Sequence, residues 1–214
     1  MFSLQRLLSK DDKFFSLMDG CAEEARSAIQ NLVALLKAPE GEHAVDVFMM
    51  DLFIDARRKE KRLTQELTEH LCKTFVTPLE REDIEALSDA LYKIPKTGEK
   101  FGERHMLAGR QTRGVDLSKH AELLQQAAEV VVIMVRDLRK GVNLETVKQQ
   151  NDQLQQIEAA ADQLMLDSLR ELYNGKHDGL QVVVMKDLLE LLEKIYDRCR
   201  DVGNIVFHIV LKHS

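Results

Sequence analysis

Residues 53–63 read FIDARRKEKRL, and residues 154–164 read LQQIEAAADQL. When the two stretches are laid over each other, at an offset of 101 residues, Phe53 falls on Leu154 and Leu63 falls on Leu164. Apolar residues continue to match at the same offset: Ala56 with Ile157, Leu71 with Leu172, Leu87 with Leu188, Leu91 with Leu192 and Ile94 with Ile195. Similarity at one fixed offset indicates a duplicated supersecondary unit.

Apolar residues recur at helical spacing in both copies, which predicts helical segments beginning near residues 11, 45, 79, 117, 143 and 180. The fourth segment resembles the first at an offset of 99 residues, where Ala121 overlies Ala22. The repeated unit is therefore three helices long. We predict an all-α fold in which two three-helix bundles, at about residues 11–107 and 117–212, pack as one elongated domain over residues 1–214. We expect Pro95 to kink or end the third helix.

The composition favours a helical globular protein, because hydrophobic residues make up 44%, charged residues 31%, and Trp is absent. A net charge of −6 does not favour a nucleic-acid partner. The three cysteines are scattered without metal-ligand spacing, which is typical of a reducing cytoplasm. The longest apolar run, Val130–Val135, is far below the ~18 residues of a membrane span. We expect a cytoplasmic protein that reaches the inner membrane only through a partner, without inserting directly.

The two copies differ in charge at matching positions. The second copy carries the acidic set, which consists of Glu158, Asp162, Glu193 and Asp197. At the same offset the first copy has Arg57, Lys61, Tyr92 and Lys96, and the three cationic residues are called here the basic set. Residues four apart on a helix share a face, so the two carboxylates of each Glu-x-x-x-Asp pair repel each other. The repulsion destabilises the helix by about 0.2–0.5 kcal/mol per pair. A bound cation would relieve this repulsion, and so would the flanking Lys194, Arg198 and Arg200.

The two acidic pairs are predicted to lie at about the same level of a helical hairpin. Counted from a turn near Lys176 at ~1.5 Å per residue, they fall within one turn of each other. Their rotation is less favourable, because Glu158 falls inside an apolar stripe whereas Glu193 and Asp197 point away from theirs. The residues alone leave two interpretations: a solvated acidic face, or a surface site whose oxygen ligands suit Mg²⁺, Ca²⁺, Mn²⁺ or iron.

Three segments carry a family resemblance. Residues 73–84 read KTFVTPLEREDI, residues 157–162 read IEAAAD, and residues 193–204 read EKIYDRCRDVGN, followed by residues 205–212. Together they resemble the PhoU-like phosphate-transport regulator family, and more closely its branch of accessory proteins encoded beside Pit-type phosphate transporters. The resemblance implies two three-helix bundles and Glu/Asp-x-x-x-Asp motifs that bind multinuclear metal clusters on the bundle surface. The residues that match the second-repeat motif are Glu158, Asp162, Glu193 and Asp197.

The first repeat departs from the family pattern. Where the family has acids, this chain has Arg57, Lys61, Tyr92 and Lys96. Protonated Arg and Lys are not metal ligands, so no first-repeat cluster is expected. The basic set is then a solvated face, a site for an anion, or a surface for a partner's acids. A second group of acids lies near the level of the basic set along the first-repeat hairpin: Asp51, Asp55, Glu99 and Glu103. Gly98 and Gly102 lie between or beside these acids and argue against a metal site there.

The resemblance implies a non-enzymatic accessory or regulatory protein for inorganic phosphate transport. Its expected partner is a Pit-type membrane transporter or a signalling protein, and self-association stays open. The expected cofactor is a divalent or ferric metal ion, with Fe, Zn, Mn and Mg as candidates. Two alternatives remain: a metal-dependent enzyme or metal-storage bundle that uses the acidic set, and a helical adaptor without a ligand. The sequence has no Gly-rich phosphate-binding loop, which argues against a nucleotide-dependent enzyme.

Overall fold

A computed structural model describes residues 4–38, 43–141 and 143–214. These residues form six α-helices and no strand. The helices are α1 (Leu4–Leu36), α2 (His43–Lys73), α3 (Arg81–Ala108), α4 (Ser118–Lys140), α5 (Leu144–Leu172) and α6 (Gly179–Lys212). A short 3-10 turn, Gly109–Thr112, follows α3. The prediction of an all-α fold is confirmed. Among the described helices, none combines the length and apolar character that crossing a bilayer requires.

The helices pack as two groups of three. In the first group α1, α2 and α3 contact one another, and in the second α4, α5 and α6 do the same. The groups join through α1 against α4 and through α3 against α6. One continuous apolar core results, and Phe14, Phe53, Phe101, Leu124 and Met134 are among its fully buried side chains. Burial of each such side chain contributes about 1.5–3 kcal/mol, so the shared core holds both bundles together.

Apolar residues matched by the 101-residue offset are buried in both halves. The buried pairs are Phe53 and Leu154, Ala56 and Ile157, Leu71 and Leu172, Leu87 and Leu188, Leu91 and Leu192, and Ile94 and Ile195. Two glycines obey the same offset. A Cβ built on Gly102 would lie 2.7 Å from Cδ2 of Phe53, and one built on Gly203 would lie 2.6 Å from Cδ1 of Leu154. Each half therefore uses a glycine on its third helix to admit the same core residue of its second helix.

Pro95 does not end the third helix, because α3 continues through it to Ala108. A kink at Pro95 stays a prediction. Proline in a helix interior costs about 3 kcal/mol or more, because it removes a hydrogen bond and clashes with the preceding turn. Pro95 is itself buried, and so are Ile94 and Phe101 on either side of it. The burial of this face, together with the close approach of Phe53 to Gly102, outweighs the local cost.

Local capping sets where α4 and α5 meet. Gly141, which closes α4, has the left-handed conformation (φ 64°, ψ 49°), and its N–H donates to the carbonyl of Leu138. Asn143 then caps α5, where its side-chain oxygen accepts from the backbone N–H of Thr146 at 2.9 Å. At the far end of the hairpin, Asp178 caps α6 by accepting from the N–H of Gln181 at 2.9 Å. These caps define the register of α5 and α6, which carry the acidic set.

Candidate functional site

The α5–α6 pair brings the predicted acidic set into one region. Glu158 and Asp162 lie on α5, and Glu193 and Asp197 lie on α6. The pKa of Glu193 is raised, first by partial burial and then by the negative charges of Asp162, Asp197 and Glu190, while Lys194 opposes the rise. Three members of the acidic set therefore lie within electrostatic range of one another, as the hairpin arithmetic predicts.

An arginine lies among these carboxylates. Nη1 of Arg200, on α6, donates to Oε1 of Glu158 on α5 and lies 3.0 Å from Oδ1 of Asp197. Nη2 of the same residue lies 3.5 Å from Oδ1 of Asp201. Partial burial lowers the pKa of Arg200, but Asp197, Glu158 and Asp201 together raise it above its ordinary value. One guanidinium thus joins α5 to α6 and pairs with two members of the acidic set.

The residues as arranged do not fit a metal cluster. Across residues 4–38, 43–141 and 143–214, no three His, Cys, Asp or Glu side chains converge as a metal site would require. Glu158 and Asp197 direct oxygen atoms at Arg200, which is a cation already. Within the described part of the chain, Asp162 and Glu193 are in no ion pair, so Arg200 contacts only two of the four carboxylates. The metal assignment to these four residues stays a prediction.

In the first half, the basic set is largely engaged. Arg57 on α2 donates through Nη1 to Oε2 of Glu99 on α3, and through Nη2 to the hydroxyl of Tyr92 at 3.0 Å. Its guanidinium carbon lies 5.6 Å from the centroid of the Tyr92 ring, and Nζ of Lys96 lies 5.8 Å from the same centroid. Both distances are within the range of cation–π attraction. Lys61 is exposed on α2. Arg57 is therefore part of an interhelical clasp rather than a solvated basic face.

The two clasps occupy equivalent positions with opposite polarity. At the offset of 101 residues, Arg57 corresponds to Glu158 and Glu99 corresponds to Arg200. Each half thus joins its second and third helices by one arginine–glutamate pair, and the two residues have exchanged helices. The comparison of the two halves in the sequence analysis matched only the acidic set with its counterparts, and it did not detect the exchange of arginine and glutamate between the helices. The same offset applied to Arg200, which was noted only as a flanking cation, would have revealed it.

A buried polar centre lies inside the first bundle. Glu60 on α2 has no exposed surface, and its Oε1 accepts from the hydroxyl of Thr64 at 2.8 Å. The hydroxyl of Ser88 on α3 donates in turn to Thr64 at 3.3 Å. Oε2 of Glu60 has no hydrogen-bond partner in the described residues. Burial raises the pKa of Glu60 from 4.5 to about 7, against opposing hydrogen bonds from Thr64 and Cys21. Sequence reasoning missed this residue, whose only signal was a charge inside an apolar stripe.

The α2–α3 connection holds a projecting aromatic residue. Arg81 donates through Nη1 to the carbonyl of Leu71 at 2.7 Å and through Nη2 to the carbonyl of Thr74. The hydroxyl of Thr77 donates to the carbonyl of Leu79 at 2.7 Å. Between these anchors the Phe75 side chain is 97% exposed. The connection is therefore well bonded, yet it presents a large apolar side chain to solvent.

Two solved structures from Shewanella oneidensis MR-1 share this architecture. A PhoU-like protein superposes with a TM-score of 0.82 over 92% of this chain and 96% of its own. The fold is PhoU-like. A second structure, of a provisionally named PhoU-like phosphate regulatory protein, gives a TM-score of 0.77 over 93% of this chain and 99% of its own. Each is 16% identical to this chain, so these likenesses concern the fold alone.

Sequence comparison finds relatives of this chain, although no family model matches it. The chain is 24% identical to a provisionally named pit accessory protein of Rhizobium meliloti (strain 1021), over 98% of this chain and 97% of that protein. It is also 25% identical over 148 residues to UPF0111 protein YkaA of Bacillus subtilis (strain 168), covering 69% of this chain and 72% of that protein. The predicted resemblance to PhoU-like proteins and to Pit accessory proteins is confirmed.

Proposed function

We propose that this protein is a non-enzymatic accessory protein that regulates inorganic phosphate transport by binding a Pit-type carrier on its cytoplasmic side. The observation that carries the proposal is the end-to-end similarity to a pit accessory protein, over 98% of one chain and 97% of the other. A PhoU-like fold supports it independently, because a solved neighbour with that fold bears the name of a phosphate regulatory protein. A signalling protein as the bound partner is the nearest variant of this proposal.

The contact we propose is made by Phe75. Aromatic side chains are enriched at the energetic centres of protein interfaces, since they bury a large area at low entropic cost. Phe75 is 97% exposed, and Arg81 donates to the carbonyl of the preceding residue, Thr74. This anchor limits the ordering of the backbone that binding would require. Leu107 provides a matched control, because it is 83% exposed near the other end of α3. The start of α3 and Leu107 are about 39 Å apart along the helix axis.

The test is phosphate uptake in cells that lack this gene. Deletion is expected to change the rate of carrier-dependent uptake, and the wild-type gene is expected to restore it. Phe75→Ser should fail to restore it and should also reduce co-purification with the carrier, whereas Leu107→Ser should behave as wild type. Uptake that is unchanged by the deletion, at both limiting and abundant phosphate, would contradict the proposed function. Equal rescue by both variants would contradict only the assignment of Phe75.

Whether the acidic set binds a metal ion is a separate question. The acidic set as a metal site, and with it the alternative of a metal-dependent enzyme or storage bundle, is not needed for the function proposed above. Contact between Phe75 and a carrier requires no metal ion. Metal content and uptake can therefore be tested independently of each other.

A further inference from the structure

The α5–α6 surface holds a positive group where the sequence suggests a metal ion. We infer that Arg200 is the resident cation of the acidic set and takes the place that a metal ion would have there. The inference goes beyond the proposed function and does not depend on it. It starts from the side chains that Arg200 contacts, which are Glu158, Asp197 and Asp201.

Arg200 and a metal ion would compete for the same oxygen atoms. The planar guanidinium presents several N–H donors and holds carboxylates by charge-assisted hydrogen bonds. A divalent ion requires carboxylate oxygens at about 2.0–2.6 Å, directed at the ion itself. Glu158 is the carboxylate that links α5 to the centre, and its Oε1 is already directed at Arg200. A metal ion beside Arg200 would also be repelled by the guanidinium.

The first half provides independent support, because it uses the same solution with the residues exchanged. Arg57 occupies the position of Glu158, and Glu99 occupies the position of Arg200. No metal is expected among the cations of the basic set, so the guanidinium there is a structural link between α2 and α3. The equivalent interhelical position in the second half is likewise filled by a guanidinium.

Arg200 does not neutralise the acidic set completely. Asp162 and Glu193 lie outside its contacts, and the pKa of Glu193 is raised by partial burial and by the neighbouring carboxylates. Removal of Arg200 would leave four carboxylates on two facing helices without their cation. That arrangement has the oxygen ligands that Mn²⁺ or Mg²⁺ prefers. Loss of the arginine should therefore create metal affinity that the wild type does not have.

Thermal melts of three proteins test this, each with excess Mn²⁺ and with EDTA. Arg198→Gln is the matched control, because Arg198 lies on the same helix and is 36% exposed against 30% for Arg200. Among the described residues its ion pair is with Asp201 and does not reach α5. Arg200→Gln is expected to melt lower than wild type in EDTA and to gain roughly 5–10 °C when Mn²⁺ exceeds its Kd about a hundredfold. Wild type and Arg198→Gln are expected to melt alike with and without Mn²⁺.

A titration of the wild type with Mn²⁺ tests the same point without any variant. The electron paramagnetic resonance of the free ion measures how much Mn²⁺ stays unbound. No stoichiometric binding is expected. Stoichiometric binding that Glu193→Ala abolishes would overturn the inference, even if Arg200→Gln did not fold. A folded Arg200→Gln protein that gains no affinity for Mn²⁺ would overturn it as well, because the position would then not be one that a metal ion can fill.

Discussion

The two halves share one backbone frame and carry opposite charges at the same interhelical position. Arg57 on α2 reaches Glu99 on α3, whereas Glu158 on α5 accepts from Arg200 on α6. The apolar residues that define the frame match at the same offset and are buried in both halves. The comparison teaches that the frame depends on where apolar side chains lie, while a partly exposed ion pair can exchange its polarity without changing the frame.

The interiors of the halves also differ. Glu60 is fully buried in the first bundle, and the matching residue of the second bundle is the buried Ala161. The hydroxyls that accompany Glu60, on Thr64 and Ser88, correspond to Met165 and Leu189 at the same offset. Burying a carboxyl group with one unpartnered oxygen costs free energy, and Ala161 at the matching position of the second bundle carries no such cost. The stability of the first bundle should therefore respond to pH between about 4.5 and 7 through Glu60.

The largest expected difference between the halves concerns the paired glycines. Gly102→Ala should reduce the free energy of unfolding by about 2–3 kcal/mol, because the new Cβ would meet the rigid Phe53 ring. Gly203→Ala should cost less, about 1 kcal/mol, since its nearest neighbour is the end of the flexible Leu154 side chain. Urea denaturation measures both. Equal costs would show that the two contacts adapt equally well.

A pH-dependent difference of similar size is expected at Glu60. Its folded pKa, about 7, lies above the ordinary 4.5, so the folded state binds more protons between these values. Stability contributed by the protonated carboxyl is present below pH 4.5 and is lost as pH rises toward 7. Relative to wild type, Glu60→Gln should gain roughly 2 kcal/mol between pH 5.5 and 7. A constant difference from wild type over that range would contradict the assignment.

The exchanged ion pairs predict an intermediate effect. Arg57→Gln should destabilise the protein by about 1–1.5 kcal/mol, because Glu99 is left partly buried without its cation. The double exchange Arg57→Glu with Glu99→Arg copies the polarity of the second half and should recover most of the loss. A double-mutant cycle in chemical denaturation measures the coupling. If the exchanged protein is as unstable as either single variant, the interhelical position in the first half does not accept the polarity of the second half.

The smallest effect is expected at Glu193. Partial burial, and after it the neighbouring carboxylates, raise its pKa, so its ionised form is disfavoured in the folded protein. Glu193→Gln at pH 7 should therefore be neutral or stabilising by at most about 0.5 kcal/mol. Asp197→Asn weakens a contact with Arg200 and should be slightly destabilising instead. Metal-free thermal melts distinguish the two. A clear loss of stability in Glu193→Gln would show that this carboxylate has a partner.

Much of the fold could be predicted from local sequence patterns. Segments predicted to begin near residues 79, 117, 143 and 180 begin at Arg81, Ser118, Leu144 and Gly179. The sequence could not show that α3 continues through Pro95, because the penalty of proline is local whereas the packing of Phe53 on Gly102 that offsets it is not visible in sequence spacing. The acidic set was recognised from its spacing. Among its flanking cations, only the structure distinguishes Arg200, which pairs with Glu158 across the helices, from Arg198, which does not.

The sequence by itself determined the duplicated helical frame, because helix formation and apolar burial depend on residue spacing that repeats at one offset. It also determined that the two copies carry opposite charges. Only the tertiary structure decided which cation accompanies the acidic set. That outcome depends on the rotation of α6 against α5 and on the reach of one arginine to Glu158, which lies 42 residues away along the chain. A contact of this kind is a property of two packed helices and is absent from the pattern of either one.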